Sequence, residues 1–271
     1  MLLLCCAGCV SLPESRDPGS LGLPPPRQGV FQGLAPGAAS LTSPHFEVRA
    51  YDAARARELS ALVESAYNRI IADTGLFSFR SESLYAVVLY RSGEEFFSKT
   101  NLSAGIAAGA VDDYGYLYVY EGAPLPAVVA HETSHLVLRD FMGSVEPVWL
   151  NEGLAVYEGQ QAASESAAFF GGGRPMPFEE MSRPDGLQSA RLSSGRGFRA
   201  ACPDHQGGLA SERYRQAGSV VRFMIEKGGR AGFSAFLRAL RSGRDLDSSL
   251  AASFPRWKDL GALEAEWRLG Q

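Results

Sequence analysis

The feature that most constrains this chain is a pair of histidines one helical turn apart, His131 and His135, enclosing Glu132 in the pattern His-Glu-Thr-Ser-His. Residues 127–141 contain no glycine or proline, Pro124 and Pro126 precede them and Gly143 follows, which predicts a helix. Four residues of an α-helix turn about 400°, so both imidazoles leave one face and can reach a single metal ion. Glu132 is offset by about 100°, beside that face, where a carboxylate can serve as a general base. Val128, Val129, Leu136, Val137 and Leu138 surround the motif and predict that the helix is set into a core. The fold must therefore bury this helix, keep one side of it polar, and bring further ligands from elsewhere.

A catalytic zinc takes three protein ligands and leaves a fourth position open. The metzincin extension would put glycine and histidine at positions 138 and 141, but these are Leu138 and Phe141, which excludes that subclass. A second helix is predicted over 148–161, after Pro147, and the short connection makes it pack antiparallel to or across the first. It offers Glu152 as third ligand, with Glu146 in the connection and Glu158 farther along as competitors. Glu158 lies on a different helix face from Glu152, so the two cannot share one metal.

The run Pro147-Val148-Trp149-Leu150-Asn151-Glu152-Gly153-Leu154-Ala155 after the His-Glu-x-x-His pattern resembles the gluzincin clan of metallopeptidases, and most closely its bacterial peptidase MA-like members. The resemblance implies one Zn²⁺ per chain held by His131, His135 and Glu152, with Glu132 as general base for hydrolysis of a peptide bond. It also implies a role for Tyr214, which opens a Tyr-Arg-Gln-Ala segment similar to the family's later helix, as hydrogen-bond donor to the oxyanion. His205 is the alternative for that role. Gluzincin substrates align along an edge strand just before the motif helix, which points to the tyrosine-rich run 114–120 and to Tyr116 and Tyr118 as substrate contacts. Some gluzincins orient a ligand histidine with a carboxylate four residues past the ligand glutamate; here that position is Val156, so the partner of His131 is unassigned.

The implied fold is α+β and gluzincin-like: a small N-terminal mixed or antiparallel sheet with a helix, the motif helix, and a C-terminal helical lobe. The residues agree independently. Strands are predicted at 45–51, 84–90 and 114–120, an amphipathic helix runs from the Asp52 cap to near Gly75, a short helix covers 93–100, and 101–110 is a small-residue loop. Helices are predicted over 211–227, 232–242 and 259–269, after a Gly/Pro/Ser/Arg-rich loop at 171–208. Strands gathering before 121 and helices after it argue α+β. The folded unit spans 45–271, as an α/β lobe over 45–123 and a helical lobe over 124–271.

Residues 2–10 are apolar but far too short to cross a bilayer. Ala7 and Gly8 before Cys9 resemble a lipoprotein leader, so 1–8 is read as signal peptide, Cys9 as the lipidated residue, and the Pro/Gly-rich 9–44 as a tether from membrane to domain. That places the protein in the bacterial cell envelope, facing the periplasm or the exterior. Over the 271 residues, 26 Lys and Arg against 30 Asp and Glu give a net charge of -4, which leaves no basic field for nucleic acid. Cys202-Pro-Asp-His205 lacks a second pair for a zinc site. The expected partners are a peptide or protein substrate and the membrane. The competing reading is a non-catalytic, zinc-containing envelope lipoprotein acting as a scaffold; Glu132, which no purely structural metal site needs, separates the two.

Overall fold

A computed structural model describes residues 22–26, 28–102, 108–144, 147–163, 175–183, 198–200 and 209–270. Cys9 and His205 lie outside them, as do Glu146 and Cys202. Six strands form one mixed sheet: β1 (Ala39–Thr42), β2 (Phe46–Ala50), β3 (Tyr85–Tyr90), β4 (Gly109–Asp112), β5 (Tyr116–Tyr120) and β6 (Phe198–Ala200), in the order β1-β2-β3-β5-β4-β6. β2, β3 and β5 run parallel, and β1, β4 and β6 pair antiparallel to their neighbours. Helix α1 (Ala53–Thr74) crosses one face. Asp52 caps it by accepting from the amides of Ala54 and Arg55, and Gly75 closes it in the left-handed region at φ 68°. Its stripe of Leu59, Val63, Ala66, Tyr67 and Ile70 is buried on the sheet.

Period-two alternation divides the sheet into two cores. Val87, Leu89, Val111, Leu117 and Val119 face α1 and the motif helix α3 (Leu125–Met142), meeting Val128, Val129, Leu136 and Val137. Ala86, Val88, Tyr90, Ala110, Tyr116 and Tyr118 face the other way, onto α2 (Gly93–Thr100) and the segment before β1. All of β3 is buried, as expected for a strand covered on both faces.

The second face changes the expectation for 9–44. Its last residues pair as β1 with β2, and Phe31 and Leu34 pack on the tyrosine face. Val30 donates its amide to Asp112, Tyr90 donates its hydroxyl to the Gln32 carbonyl, and Leu84 donates its amide to Pro24. The described part of the tether is thus a strap laid over the sheet. Proline and glycine suppress helical and strand periodicity, but an extended segment can still bury single side chains and offer backbone groups.

Helix α4 (Val148–Ala162) packs on α3, and α6 (Leu209–Arg241) packs on α4. The close approach of α6 needs Gly153, since a Cβ there would stand 2.6 Å from the Ala217 carbonyl oxygen. Two predicted helices merge into α6 across a kink at Gly229 (φ 78°, ψ 154°). Helix α7 (Leu246–Ser253) was not expected, while α8 (Leu260–Leu269) was. The expected loop 171–208 contains a short helix, α5 (Phe178–Met181), besides β6, and the expected loop 101–110 ends in β4. The class is α+β, with the helical core built on Trp149, Phe178, Phe233, Phe236, Phe254, Trp257 and Trp267. Among the described residues no helix is long and apolar enough to cross a membrane.

Candidate metal centre

Helix α3 begins at Pro124 without a side-chain cap and ends at Gly143, whose amide returns to the Arg139 carbonyl. Between them the motif sits where α3 meets both β4 and α4. His131 Nε2 and His135 Nε2 are 3.2 Å apart, and Glu152 Oε2 on α4 is 3.7 Å from His135 Nε2. The ligand atoms of the three residues all lie within 4.8 Å of one another. A His-His-Glu group of this kind can hold a metal ion.

Of the two competitors for third ligand, Glu146 lies outside the described residues and Glu158 resolves geometrically. Glu158 is fully buried and takes the Arg69 guanidinium of α1 on its Oε2 at 2.7 Å, away from the histidines. Burial nevertheless outweighs Arg69 and pushes the Glu158 carboxyl up to about 7.

The His135 ring is held from α4. Its Nδ1 lies 3.1 Å from Asn151 Oδ1, an acceptor, so Nδ1 carries the proton. The Ala155 backbone lies near the His131 ring and favours its protonated form. With its Nδ1 so committed, His135 can turn the lone pair of Nε2 toward His131 and Glu152. Two imidazole nitrogens and a carboxylate this close can be bridged by a cation. Where some gluzincins have a carboxylate this chain has Val156, which packs toward α6, in contact range of Gly218. Asn151 and Ala155 were not identified from the sequence. Asn151 sits inside the recognised segment, but a carbonyl has no side-chain signature.

Burial first, and the neighbouring His135 second, push the His131 imidazole down to about 3, so it is neutral, the form that ligates metal. Glu132 is 0% exposed, and its carboxyl is raised well above the usual carboxylate range by burial and by the charge of Glu152. Neither of its carboxylate oxygens has a hydrogen-bond partner among the described residues. An unsatisfied carboxyl of this kind costs several kcal/mol, roughly, unless something at the site compensates it.

Tyr116 and Tyr118 do not reach this site. Strand β5 is interior, paired with β3 on one side and β4 on the other, so it has no free edge for a peptide. The pleat turns both tyrosines onto the far face, 5% and 0% exposed, where Tyr118 donates to Asp112 at 2.8 Å. The motif helix packs on both β4 and β5, and the small residues of β4 carry no period that sequence reading could use. Tyr214 is 3% exposed in the helical core around α4 and α6. A cavity of about 570 Å³ lies near the other end of α3, lined by Tyr85, Tyr114, Arg139 and Asp140, and contains none of the site residues. Compared with known proteins, the sequence matches no protein-family model and no curated protein, so the centre is argued from its own geometry.

Proposed function

We propose that the chain is a zinc-dependent peptidase of gluzincin type, with His131, His135 and Glu152 as ligands and Glu132 as general base. The observation that carries this reading is the state of Glu132. It is fully buried beside the ligand set, is not one of the ligands, and has no protein partner among the described residues. A scaffold with a structural metal has no use for that arrangement.

Zinc suits two neutral imidazoles and one carboxylate, and when bound it polarises a carbonyl and lowers the pKa of a coordinated water to about 7. The chain supplies the rest. Asn151 fixes the tautomer and orientation of the His135 ring. Glu132 accepts the proton of the attacking water and passes it to the leaving amine; a divalent cation at the centre opposes the burial and the Glu152 charge that raise its carboxyl. The walls of Val128, Val129 and Leu136 keep the surroundings of α3 dry, which strengthens each of these interactions. Tyr214 is the proposed donor to the oxyanion, and Cys9 the proposed lipid anchor in the cell envelope, which Cys9→Ser would release from the membrane fraction.

The test is zinc uptake followed by peptide-library digestion read by mass spectrometry. The expected result is about one zinc per chain and hydrolysis that disappears with a chelator and returns with zinc. A folded protein that takes up no zinc, or a zinc-loaded one that cleaves nothing, overturns the reading.

A further inference from the structure

The first residue of β4 has no side chain, and the reason lies where β4 meets Val128 and Glu132 of α3. Gly109 belongs to the β4 positions that face α3: Val111, two residues on, is packed in the core with Val128 and Val129, while Ala110 between them faces the opposite side. A Cβ built on Gly109 would stand 2.7 Å from Val128 Cγ1 and 3.3 Å from Glu132 Cγ. Val128 and Glu132 are one turn apart on α3, so the missing side chain would enter between them. Backbone conformation does not explain the glycine, because Gly109 is absent from the residues with positive φ. Close approach does. The backbone of β4 lies directly on the stem of the proposed base.

We propose that Gly109 is a positioning residue for Glu132: its missing side chain lets β4 press on α3 and hold the Glu132 stem in the one arrangement that aims the carboxylate beside the ligand set. The proposal rests on the reading of Glu132 as general base. A side chain at 109 meets Val128 Cγ1 first and the Glu132 stem next. Unless Val128 alone gives way, either the Glu132 stem yields or β4 lifts off α3 and admits water to a carboxyl that is 0% exposed. The ligands themselves are spared. His135 is held by Asn151 of α4, and Glu152 itself belongs to α4. Gly109 therefore bears on proton transfer and leaves metal binding alone.

The experiment compares wild type, Gly109→Ala, Val128→Ala and the double variant in the full chain. Zinc stoichiometry is measured with zinc alone, kcat and KM on a peptide taken from the library digestion, and unfolding midpoints without metal. Gly109→Ala is expected to retain one zinc per chain and to lose kcat by about a hundred-fold with KM little changed, as misplacement of a reacting group by an ångström does. Val128→Ala removes the Cγ1 that the new methyl would meet at 2.7 Å, and in the double variant it is expected to restore most of kcat and of the unfolding midpoint. Unchanged kcat in Gly109→Ala overturns the proposal, as does a loss that Val128→Ala fails to recover. A wild-type chain without hydrolysis refutes the general-base reading instead, and the midpoints then report on the steric contact alone.

Discussion

His135 Nδ1 stands 3.1 Å from Asn151 Oδ1, one residue before the glutamate that completes the ligand set. One turn of α4 thus supplies both a candidate ligand and the group that orients another, and the tautomer of His135 is set by the protein. Asn151→Ala frees the ring and leaves a buried N–H without an acceptor. Zinc affinity is expected to fall by about 10- to 100-fold, the usual cost of losing an outer-shell partner, with the fold retained. Competition against a chromogenic chelator measures it, and unchanged affinity would show that the ring needs no partner. Asn151→Asp should bind zinc at least as tightly as wild type, because a carboxylate is a stronger acceptor for the same N–H.

Glu132 makes the opposite prediction. Glu132→Gln keeps the size of a side chain that is 0% exposed and removes only its charge and basicity. Zinc uptake is expected to stay at one per chain while hydrolysis falls by about 10²- to 10⁴-fold, the range that general base catalysis contributes. Metal analysis and rate on the same preparation check this. The free protein is expected to gain stability near neutral pH, since the amide escapes the cost of a buried, unpartnered carboxyl.

Tyr118 is expected to matter for stability and to be silent in substrate kinetics. Its hydroxyl donates to Asp112, which is itself 0% exposed and also accepts from the amides of Val30, Tyr114 and Tyr116. Tyr118→Phe removes one of these donors and the contact to the Phe31 amide, for a loss of about 1–3 kcal/mol by denaturant unfolding. KM for a peptide should not move, because the ring lies on the sheet face turned away from α3. A raised KM with unaltered stability would return the tyrosine to the substrate side.

The motif helix, its partner helix and the meeting of His131, His135 and Glu152 were legible because each carries a strong local pattern. His131 and His135 are fixed to one face by helix geometry, and Trp149 to Ala155 forms an apolar helix that must fold back on the first. The order of β4 and β5 was not legible. A run of tyrosines predicts a strand, but which neighbour it takes depends on pairings between distant residues such as Gly109 with Val119, and no local pattern encodes those. The strap was missed for a related reason. Val30, Phe31 and Gln32 are bound through main-chain groups to Asp112, Tyr118 and Tyr90, and such bonds leave little trace in side-chain periodicity. Gly109 is the clearest case: a glycine in a small-residue stretch looks like loop, and only the approach of Val128 and Glu132 gives it a reason.

Glu158 sets the pH dependence of the helix packing. Its carboxyl is fully buried against Arg69 and rises from an ordinary 4.5 to about 7 in the folded protein. A folded-state value above the unfolded one means that the native state holds the proton longer. Between about pH 4.5 and 7 the folded chain therefore binds more protons than the unfolded chain, and stability falls as pH rises through that window. Below it both states are protonated and the effect vanishes; above it the loss is complete, at most about 3 kcal/mol for this shift. Glu158→Gln cannot ionise and should escape the loss. The stability difference between this variant and wild type, followed by denaturant unfolding without metal, is expected to move in favour of the variant from pH 4.5 to 7 and to level off beyond. A difference that stays constant across that range would mean that Arg69 keeps Glu158 ionised, so that the ion pair, and not burial, governs this contact between α1 and α4.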